Sequence, residues 1–525
     1  MQVSKLKAGF KCSKILKGIS FHLAQNDKVG LVGPNGSGKS TLLKVLAGEL
    51  PIDSGIIKAE NQTIAYLKQE IPHDFDNYSI IDYIKQQTGI GELEIKLSEL
   101  ENDLNSDNMT EYEEVLDKFL LLDGYSFESN LQSVINGLRL NKDLNSKISA
   151  LSGGEKIKVL LSVMLLSNGD ILLLDEPTNN LDIEAIEWLE KYLQSLQKSI
   201  IVVSHDETFL NNIVNKIFEM SDGKIREYNL GYDEYLKQKA LEYEQDRLKY
   251  INALQERKKL KDRLQKAKGW TNKGISTKAH NDNDKLANNY AKERTRSSEV
   301  SKLTKALEEL DIPVFQERKK INFFLDLDNE KGNKNIYVDN LICGFEGFQT
   351  VPIRLNIDFR TKISINGSNG SGKTTFIKTL LGMIKPISGS IVIGSDIKIC
   401  YISQDTIVND KNVSVYDFII SGIDGIDQSL IFTLLNNFGF NYDDRNRKYA
   451  ELSPGERTRV NLTKMALHKI NVLVLDEITN HLDKEALDLI YEVVKTYPGT
   501  IISISHNRKY NEILNADCSL DIATG

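Results

Sequence analysis

Short, mostly apolar runs alternate with amphipathic stretches along most of the chain, and the same order occurs twice. Val29 to Val32, Thr63 to Leu67 and Ile171 to Leu174 in the first half have the length and composition of strands, as do Ile363 to Ile365, Ile397 to Ile402 and Val472 to Leu475 in the second. Leu42 to Leu50 and Ile157 to Leu166 predict helices. Strands alternating with helices in two successive blocks predict an α/β chain with two similar domains, about 1–235 and 319–525. Between the blocks the pattern changes. No proline occurs between Pro177 and Pro313, so long helices are possible from Leu236 to Arg318. Leu236 to Lys268 would rise ~50 Å if helical. A return helix from Asp284 to Leu310 places Val300, Leu303, Leu307 and Leu310 at spacings of three and four, suited to antiparallel pairing with Leu248, Ile251, Leu260 and Leu264. Gly269 through Asn283 is expected to be the connecting loop.

Length and composition narrow the function classes. A chain of 525 residues holds two or three domains, each with its own core. Its longest apolar runs fall far short of the ~20 residues that span a bilayer, so no membrane segment is expected. Met1 leads into Gln, Val, Ser and Lys without an apolar signal core, and four scattered cysteines have no metal spacing. A reducing cytoplasm is the expected location. The net charge of −8 argues against nucleic-acid binding as an average, but it conceals a basic segment.

Chemistry enters with a Gly-rich loop between strand and helix. Gly33-Pro34-Asn35-Gly36-Ser37-Gly38-Lys39-Ser40-Thr41 has the composition of a phosphate cradle: glycines let successive N–H groups face one anion, and the following helix adds its dipole. Lys39 would reach the β- and γ-phosphates of a nucleotide and Ser40 would hold Mg²⁺. One copy could be an ordinary tight turn. A second, Gly367-Ser368-Asn369-Gly370-Ser371-Gly372-Lys373-Thr374-Thr375, makes coincidence a poor explanation.

Other residues repeat at matched distances. Gln69 and Gln404 follow the next strand, 36 and 37 residues after Gly33 and Gly367, and suggest a Mg²⁺ or water ligand at each site. Leu151-Ser152-Gly153-Gly154-Glu155 and Leu452-Ser453-Pro454-Gly455-Glu456 each enter a helix. Both fit a capping box, and equally a Ser and helix N-terminus that bind the γ-phosphate held by the opposite domain. Pro454 removes one donor there, yet suits the first helical position. Twenty-three residues after each serine stands an acidic pair, Asp175-Glu176 and Asp476-Glu477. Carboxylates ending a buried strand need a cation or proton donor, so the aspartates are candidates for Mg²⁺ and the glutamates for general bases. Thirty residues after each aspartate, a strand ends in Ser204-His205 or Ser505-His506. The paired histidines are candidates for sensing the γ-phosphate and aligning water.

Together these motifs resemble the nucleotide-binding domains of ATP-binding-cassette proteins, and DEPTNNLD (Asp175 to Asp182) with DEITNHLD (Asp476 to Asp483) resembles the ABC-F family. Two departures are Pro454 in the second signature and Ile478 where the first copy has Pro177. The resemblance implies a twin-cassette ATPase using ATP and Mg²⁺, acting as a monomer whose cassettes pair head to tail, with Phe10 placed against adenine or else in the core. It also implies binding at the ribosomal E site, either as a translation factor or as an antibiotic-resistance protein.

Where the halves differ, the resemblance assigns an arm and a linker. The distance from Gln69 to Ser152 exceeds that from Gln404 to Ser453 by 34 residues, and Thr88 to Tyr125 fits an insertion with eleven Asp and Glu against Lys96 and Lys118. Leu93 to Leu104 and Tyr112 to Leu122 suggest a helical hairpin. It is either simply solvated or docks on a basic ribosomal protein, since RNA would repel it. From Arg257 to Lys305 the linker has fifteen Lys and Arg against five Asp and Glu. Arg257, Lys258, Lys259, Lys261, Arg263, Lys266, Lys268, Lys273 and Lys278 are candidates for RNA phosphates, and Trp270 could stack on a base. The resembled family runs this linker along the P-site tRNA towards the peptidyl-transferase centre. Ribosome protection is the expectation, with a housekeeping translation factor as the alternative. A transporter ATPase subunit is the second alternative, and the basic linker argues against it.

Overall fold

Asp175 pairs with Val203 and Asp476 with Ile504 in parallel register, which puts each acidic pair beside a Ser-His at the carboxyl edge of a sheet. The structure is a computed structural model, and it describes residues 1–10, 13–59, 62–68, 70–102, 108–274, 298, 300–313, 315, 334–345, 347–395, 397–403, 412–421, 428–467, 470–479, 482 and 484–523, with backbone only at 10, 13, 14, 267–274, 454 and 485. The described residues group into two compact units, Met1–Tyr232 with Ile321–Gly525, and Asp233–Lys320.

The first unit contains both cassettes. In the first cassette the sheet order is Ile64–Tyr66, Ile171–Asp175, Ser199–Val203, Lys28–Val32, Lys216–Ser221 and Lys224–Tyr228, parallel except for the last strand. Every residue of Ile171–Asp175 and Ser199–Val203 is buried, which is why these strands read as continuous apolar runs. A three-stranded antiparallel sheet (Ser13–His22, Gln2–Phe10, Ser54–Lys58) shares a core with it through Leu6, Leu16, Leu31, Leu43 and Phe218. The second cassette repeats the plan with Ile399–Ser403, Val472–Asp476, Thr500–Ile504, Lys362–Asn366 and Cys518–Asp521, all parallel. In sheets of this kind ligands bind at the carboxyl ends of the strands, and both phosphate loops leave their strands there.

The expected arm consists of helices Ile90–Asn102 and Met109–Leu121, which pack against each other. Leu97, Val115 and Phe119 are buried, and Lys96 pairs with Glu111 at 2.6 Å.

In the second unit the chain begins as one helix, Tyr232–Gly274, of 43 residues. Residues 269–274, expected in the loop, are therefore helical. An isolated glycine costs only ~1 kcal/mol in a helix, and Lys266, Ala267 and Lys268 before it are good helix formers. Residues 275–283, with Lys278 among them, lie outside the described residues. Of the expected return helix, 300–309 is helical. Val300, Leu303, Leu307, Leu310, Ile251, Leu260 and Leu264 are half-buried as their spacing implies, whereas Leu248 is 51% exposed and stands outside the seam. Phe315 packs on Tyr243 and Tyr250, at ring distances of 5.1 and 5.6 Å. Among the described residues no helix is long and apolar enough to cross a membrane.

Candidate active site

Each phosphate loop is built for an anion. The helices Lys39–Leu46 and Lys373–Leu380 start from left-handed glycines, Gly38 (φ 102°) and Gly372 (φ 98°), with no side-chain cap and no acidic residue in the first turn. Their first N–H groups therefore point into the loop without a carboxylate to satisfy them. Glycine is required at the loop entrance too: a side chain at Gly33 or Gly367 would strike the carbonyl of Met220 or Ile522. Lys39 donates to the carbonyls of Gly33 and Pro34 at 2.7 and 3.1 Å, and Lys373 to those of Gly367 and Ser368 at 2.8 and 3.0 Å. The buried hydroxyls of Ser37 and Ser371 have no hydrogen-bond partner among the described residues. Asn35, Gly36, Asn369 and Gly370 form the exposed lip of each loop, and Thr41 and Thr375 follow in the first helical turn. Bare N–H groups, orphaned hydroxyls and a buried lysine fit a nucleotide phosphate chain.

The aspartates sit where a cation could join them to the loops. Asp175 is hydrogen-bonded by Ser40, and Thr374 Oγ1 donates to Asp476 Oδ1 at 3.3 Å. Both carboxylates are buried, and burial pushes their pKa values up. A buried carboxylate beside a loop hydroxyl is a donor set suited to Mg²⁺. Tyr401 adds a contact that sequence reasoning missed: its hydroxyl donates to Asp476 Oδ2 at 2.9 Å. The equivalent Tyr66 hydroxyl is buried without a partner among the described residues. The available signal was a Tyr three residues before each Gln. Gln69 and Gln404 themselves lie outside the described residues.

The two glutamates share an unusual backbone. Glu176 has φ 52° and Glu477 φ 49°, the left-handed region that a glutamate rarely enters, so the turn after each aspartate is held against a local preference. His205 meets Glu176 twice, through its backbone N–H to Oε2 at 3.3 Å and through Nε2 to Oε1 at 3.4 Å. His506 Nε2 lies 3.8 Å from Glu477 Oε1, beyond hydrogen-bond distance. Burial, followed by the neighbouring Asp175 charge, pushes the Glu176 carboxyl up to about 8. Burial, with Lys373 adding to it, pulls the His506 imidazole down to about 4, so His506 is neutral at pH 7. Each site thus sets an imidazole beside a carboxyl, hydrogen-bonded in the first cassette and just out of reach in the second.

The second loop also meets the first cassette. A cleft of about 370 Å³ is lined by Asn369, Gly370, Lys373, Thr374 and Glu477 on one side and Gly154 and Asn180 on the other. Asp182, next along, is close enough to act on the charges of Lys373 and His506. Ser152 heads its helix in a capping box with Glu155, as the bland expectation had it, while Gly154 just beyond faces the cleft. Ser453 caps its helix through Glu456 in the same manner, and that helix begins at Pro454, with Gly455 next. Phe345 and Phe348 line the cleft as a stacked pair with ring centres 5.3 Å apart, and sequence reasoning missed them. A Gly-Phe pair before each loop, Gly9-Phe10 and Gly344-Phe345, was the signal. Phe10 ends its strand, and its side chain lies outside the described residues.

The family model described as ABC transporter matches residues 16–179 and 351–480. ATP-binding protein Uup of Haemophilus influenzae is 34% identical over 527 residues, covering 97% of this chain and 77% of that protein. Putative ATP-binding protein YdiF of Bacillus subtilis is 32% identical, covering 97% and 78%, and energy-dependent translational throttle protein EttA of Mycobacterium tuberculosis is 31% identical, covering 94% and 86%. Archaeal ribosome recycling factor aABCE1, solved in complex with stalk protein aP1, shares the fold at a TM-score of 0.58, with 19% identity over 98% of this chain and 86% of that one. The chain belongs to the ATP-binding-cassette family and, with two cassettes joined by a helical region, is an ATPase of the ABC-F type.

Proposed function

We propose that this ATPase binds the ribosome at the E site with ATP bound, and acts through its linker near the P-site tRNA and the peptidyl-transferase centre to protect the ribosome from antibiotics. The linker carries the proposal. Arg257, Lys258, Lys259, Lys261, Arg263 and Lys266 are all exposed on a helix of 43 residues. At ~1.5 Å per residue that helix is ~65 Å long, enough to carry positive charge deep into an RNA groove. Lys268, Trp270, Lys273 and Lys278 would extend the contact at its far end. The acidic arm would meet a basic ribosomal protein instead.

Closure would complete two equivalent sites. One would combine Lys39, Ser40, Gln69, Asp175, Glu176 and His205 with Ser453 and Gly455; the other would combine Lys373, Thr374, Gln404, Asp476, Glu477 and His506 with Ser152 and Gly154. Mg²⁺ held at the aspartates and loop hydroxyls supplies positive charge against the phosphates. The glutamates take the proton from attacking water, and the histidines orient it. Hydrolysis would then open the cassettes and release the ribosome. A second reading, a housekeeping translation factor, is favoured by the name of the throttle relative.

The test is sedimentation of the Glu176→Gln, Glu477→Gln protein with ribosomes and with membranes, in ATP and in ADP. Retention on ribosomes in ATP alone is expected; retention on membranes would point to a transporter subunit. Growth of a drug-sensitive host in a lincosamide or pleuromutilin separates the two ribosomal readings. Protection by the wild type, lost when 269–283 is replaced by a short Gly/Ser connection, is the expected result. No protection by the wild type would favour the housekeeping factor.

A further inference from the structure

The short helices that follow the two histidines, Glu207–Ile213 and Arg508–Leu514, pack against each other across the cassette pair. Related positions on them carry opposite charge. Two residues after the histidine stands Glu207 in the first cassette and Arg508 in the second. Arg508 Nη1 donates to Glu190 Oε2 at 3.3 Å, its Nη2 also bonds Glu190 Oε1, and Nη2 lies 3.9 Å from Asp206 Oδ2. Lys509 and Lys484 pair with the two oxygens of Glu207 at 2.6 and 3.2 Å. The first cassette is acidic here and the second basic.

This network ends on a catalytic candidate. Asp206 directly follows His205, accepts the Phe209 N–H at 3.0 Å and sends its own N–H to Ser204 Oγ at 3.1 Å, so its carboxylate fixes the turn that holds His205 against Glu176. The second cassette has the uncharged Asn507 in that place, whose side chain accepts the Tyr510 N–H at 2.9 Å. Arg508 thus meets a carboxylate in the histidine turn of the first site, whereas Asn507 gives the second site's turn no carboxylate to hold. Glu190 is 6% exposed, and an arginine paired there with two carboxylates has little freedom to shift.

We propose that Arg508 of the second cassette is a positioning residue for the first ATP site, holding the His205 turn through Glu190 and Asp206. The inference rests on Glu176 and His205 acting in hydrolysis. The same charges restrict pairing: two copies of either cassette would bring like charges together at a face where residues meet their own counterparts, so the surface is complementary only between unlike cassettes.

Turnover by the full chain carrying Glu477→Gln reports the first site, and by the chain carrying Glu176→Gln the second. Adding Arg508→Ala should lower kcat about 10- to 100-fold at the first site, as expected of a misplaced catalytic group, with KM for ATP changed less than about threefold. The second site should keep its kcat within about twofold, because Asn507 gives its histidine turn no carboxylate for a cross-cassette arginine to hold. Arg508→Lys should recover part of the loss, which separates positioning from damage to the fold. Equal losses at both sites, no loss at either, or no recovery with Arg508→Lys would overturn the proposal. If the Glu477→Gln reference were no faster than the double glutamine variant, the assignment of Glu176 would fail and the inference with it. A normal reference with Arg508→Ala at full rate sinks the inference alone.

Discussion

Asn369, in the second phosphate loop, donates its side-chain amide to the backbone carbonyl of Asn180 in the first cassette, at 2.7 Å. The bond joins a nucleotide loop directly to the motif that follows the other cassette's acidic pair, and Asn180 adopts φ 61°, which asparagine tolerates better than most residues. Asn369→Ala removes one hydrogen bond with a net value of about 0.5–1.5 kcal/mol, so KM for ATP at the second site should rise about two- to tenfold with kcat nearly unchanged. Turnover in the Glu176→Gln background measures it. An unchanged KM would mean that this contact is absent from the ATP-bound form.

Loss of both candidate bases should nearly stop hydrolysis. Removing a general base typically costs ~10² to 10⁴ in rate, so the Glu176→Gln, Glu477→Gln protein should bind ATP and turn it over at least about a hundredfold more slowly. Nucleotide binding and phosphate release measured side by side give the answer; turnover at the wild-type rate would remove both glutamates from the mechanism.

The raised pKa of Glu176 has a consequence for stability without nucleotide. Its carboxyl holds a proton in the folded protein up to about 8, whereas the ordinary value is 4.5. The associated stability is present in full below 4.5 and is lost as pH rises through about 8, with a slope of up to ~1.4 kcal/mol per pH unit between them. Gln is neutral throughout. Glu176→Gln should therefore melt above the wild type at pH 8, by about 2–4 °C per kcal/mol gained, and the advantage should shrink towards pH 5. His506 acts with the opposite sign: its imidazole is held neutral down to about 4, so it costs stability as pH falls from 6.5. A Tm difference independent of pH would show that Glu176 is ionised in the empty site.

Tyr401 and Tyr66 provide a matched pair for the cation site. Tyr401→Phe deletes a hydroxyl that orients Asp476, and an outer-shell contact of this kind is worth roughly 10-fold in metal affinity. The half-saturating Mg²⁺ concentration at the second site should rise accordingly, read by metal-dependent fluorescence of bound nucleotide as well as by turnover. Tyr66→Phe should change the first site little, because its hydroxyl has no hydrogen-bond partner among the described residues. Equal shifts at both sites would assign the effect to packing.

Much of this site was legible because its chemistry is local. The phosphate loop, the acidic pair and the Ser-His each lie within a few consecutive residues, and duplication at equal spacing separated them from ordinary turns and caps. What escaped the sequence is what tertiary contact creates. Nothing local marks Tyr401 as a partner of Asp476, or Asn180 as a partner of Asn369, because those pairs are 75 and 189 residues apart. The error at Gly269 has the reverse cause: a glycine that breaks short helices was accommodated inside one of 43 residues.

The bare helix ends at Gly38 and Gly372 tie nucleotide to the fold itself. Lys39–Leu46 and Lys373–Leu380 have eight residues each, too few to be stable alone, and each begins without the side-chain oxygen that Ser79 and Ser152 give their own helices. A phosphate would supply what those serines supply elsewhere, stopping the first turn from fraying, so ligand binding and local folding become one equilibrium. The backbone N–H groups of such loops hold the α- and β-phosphates, which survive hydrolysis. ADP should therefore protect these helices from heat and hydrogen exchange nearly as well as ATP. Loss of the γ-phosphate leaves each cassette intact and alters only what bridges one cassette to the other.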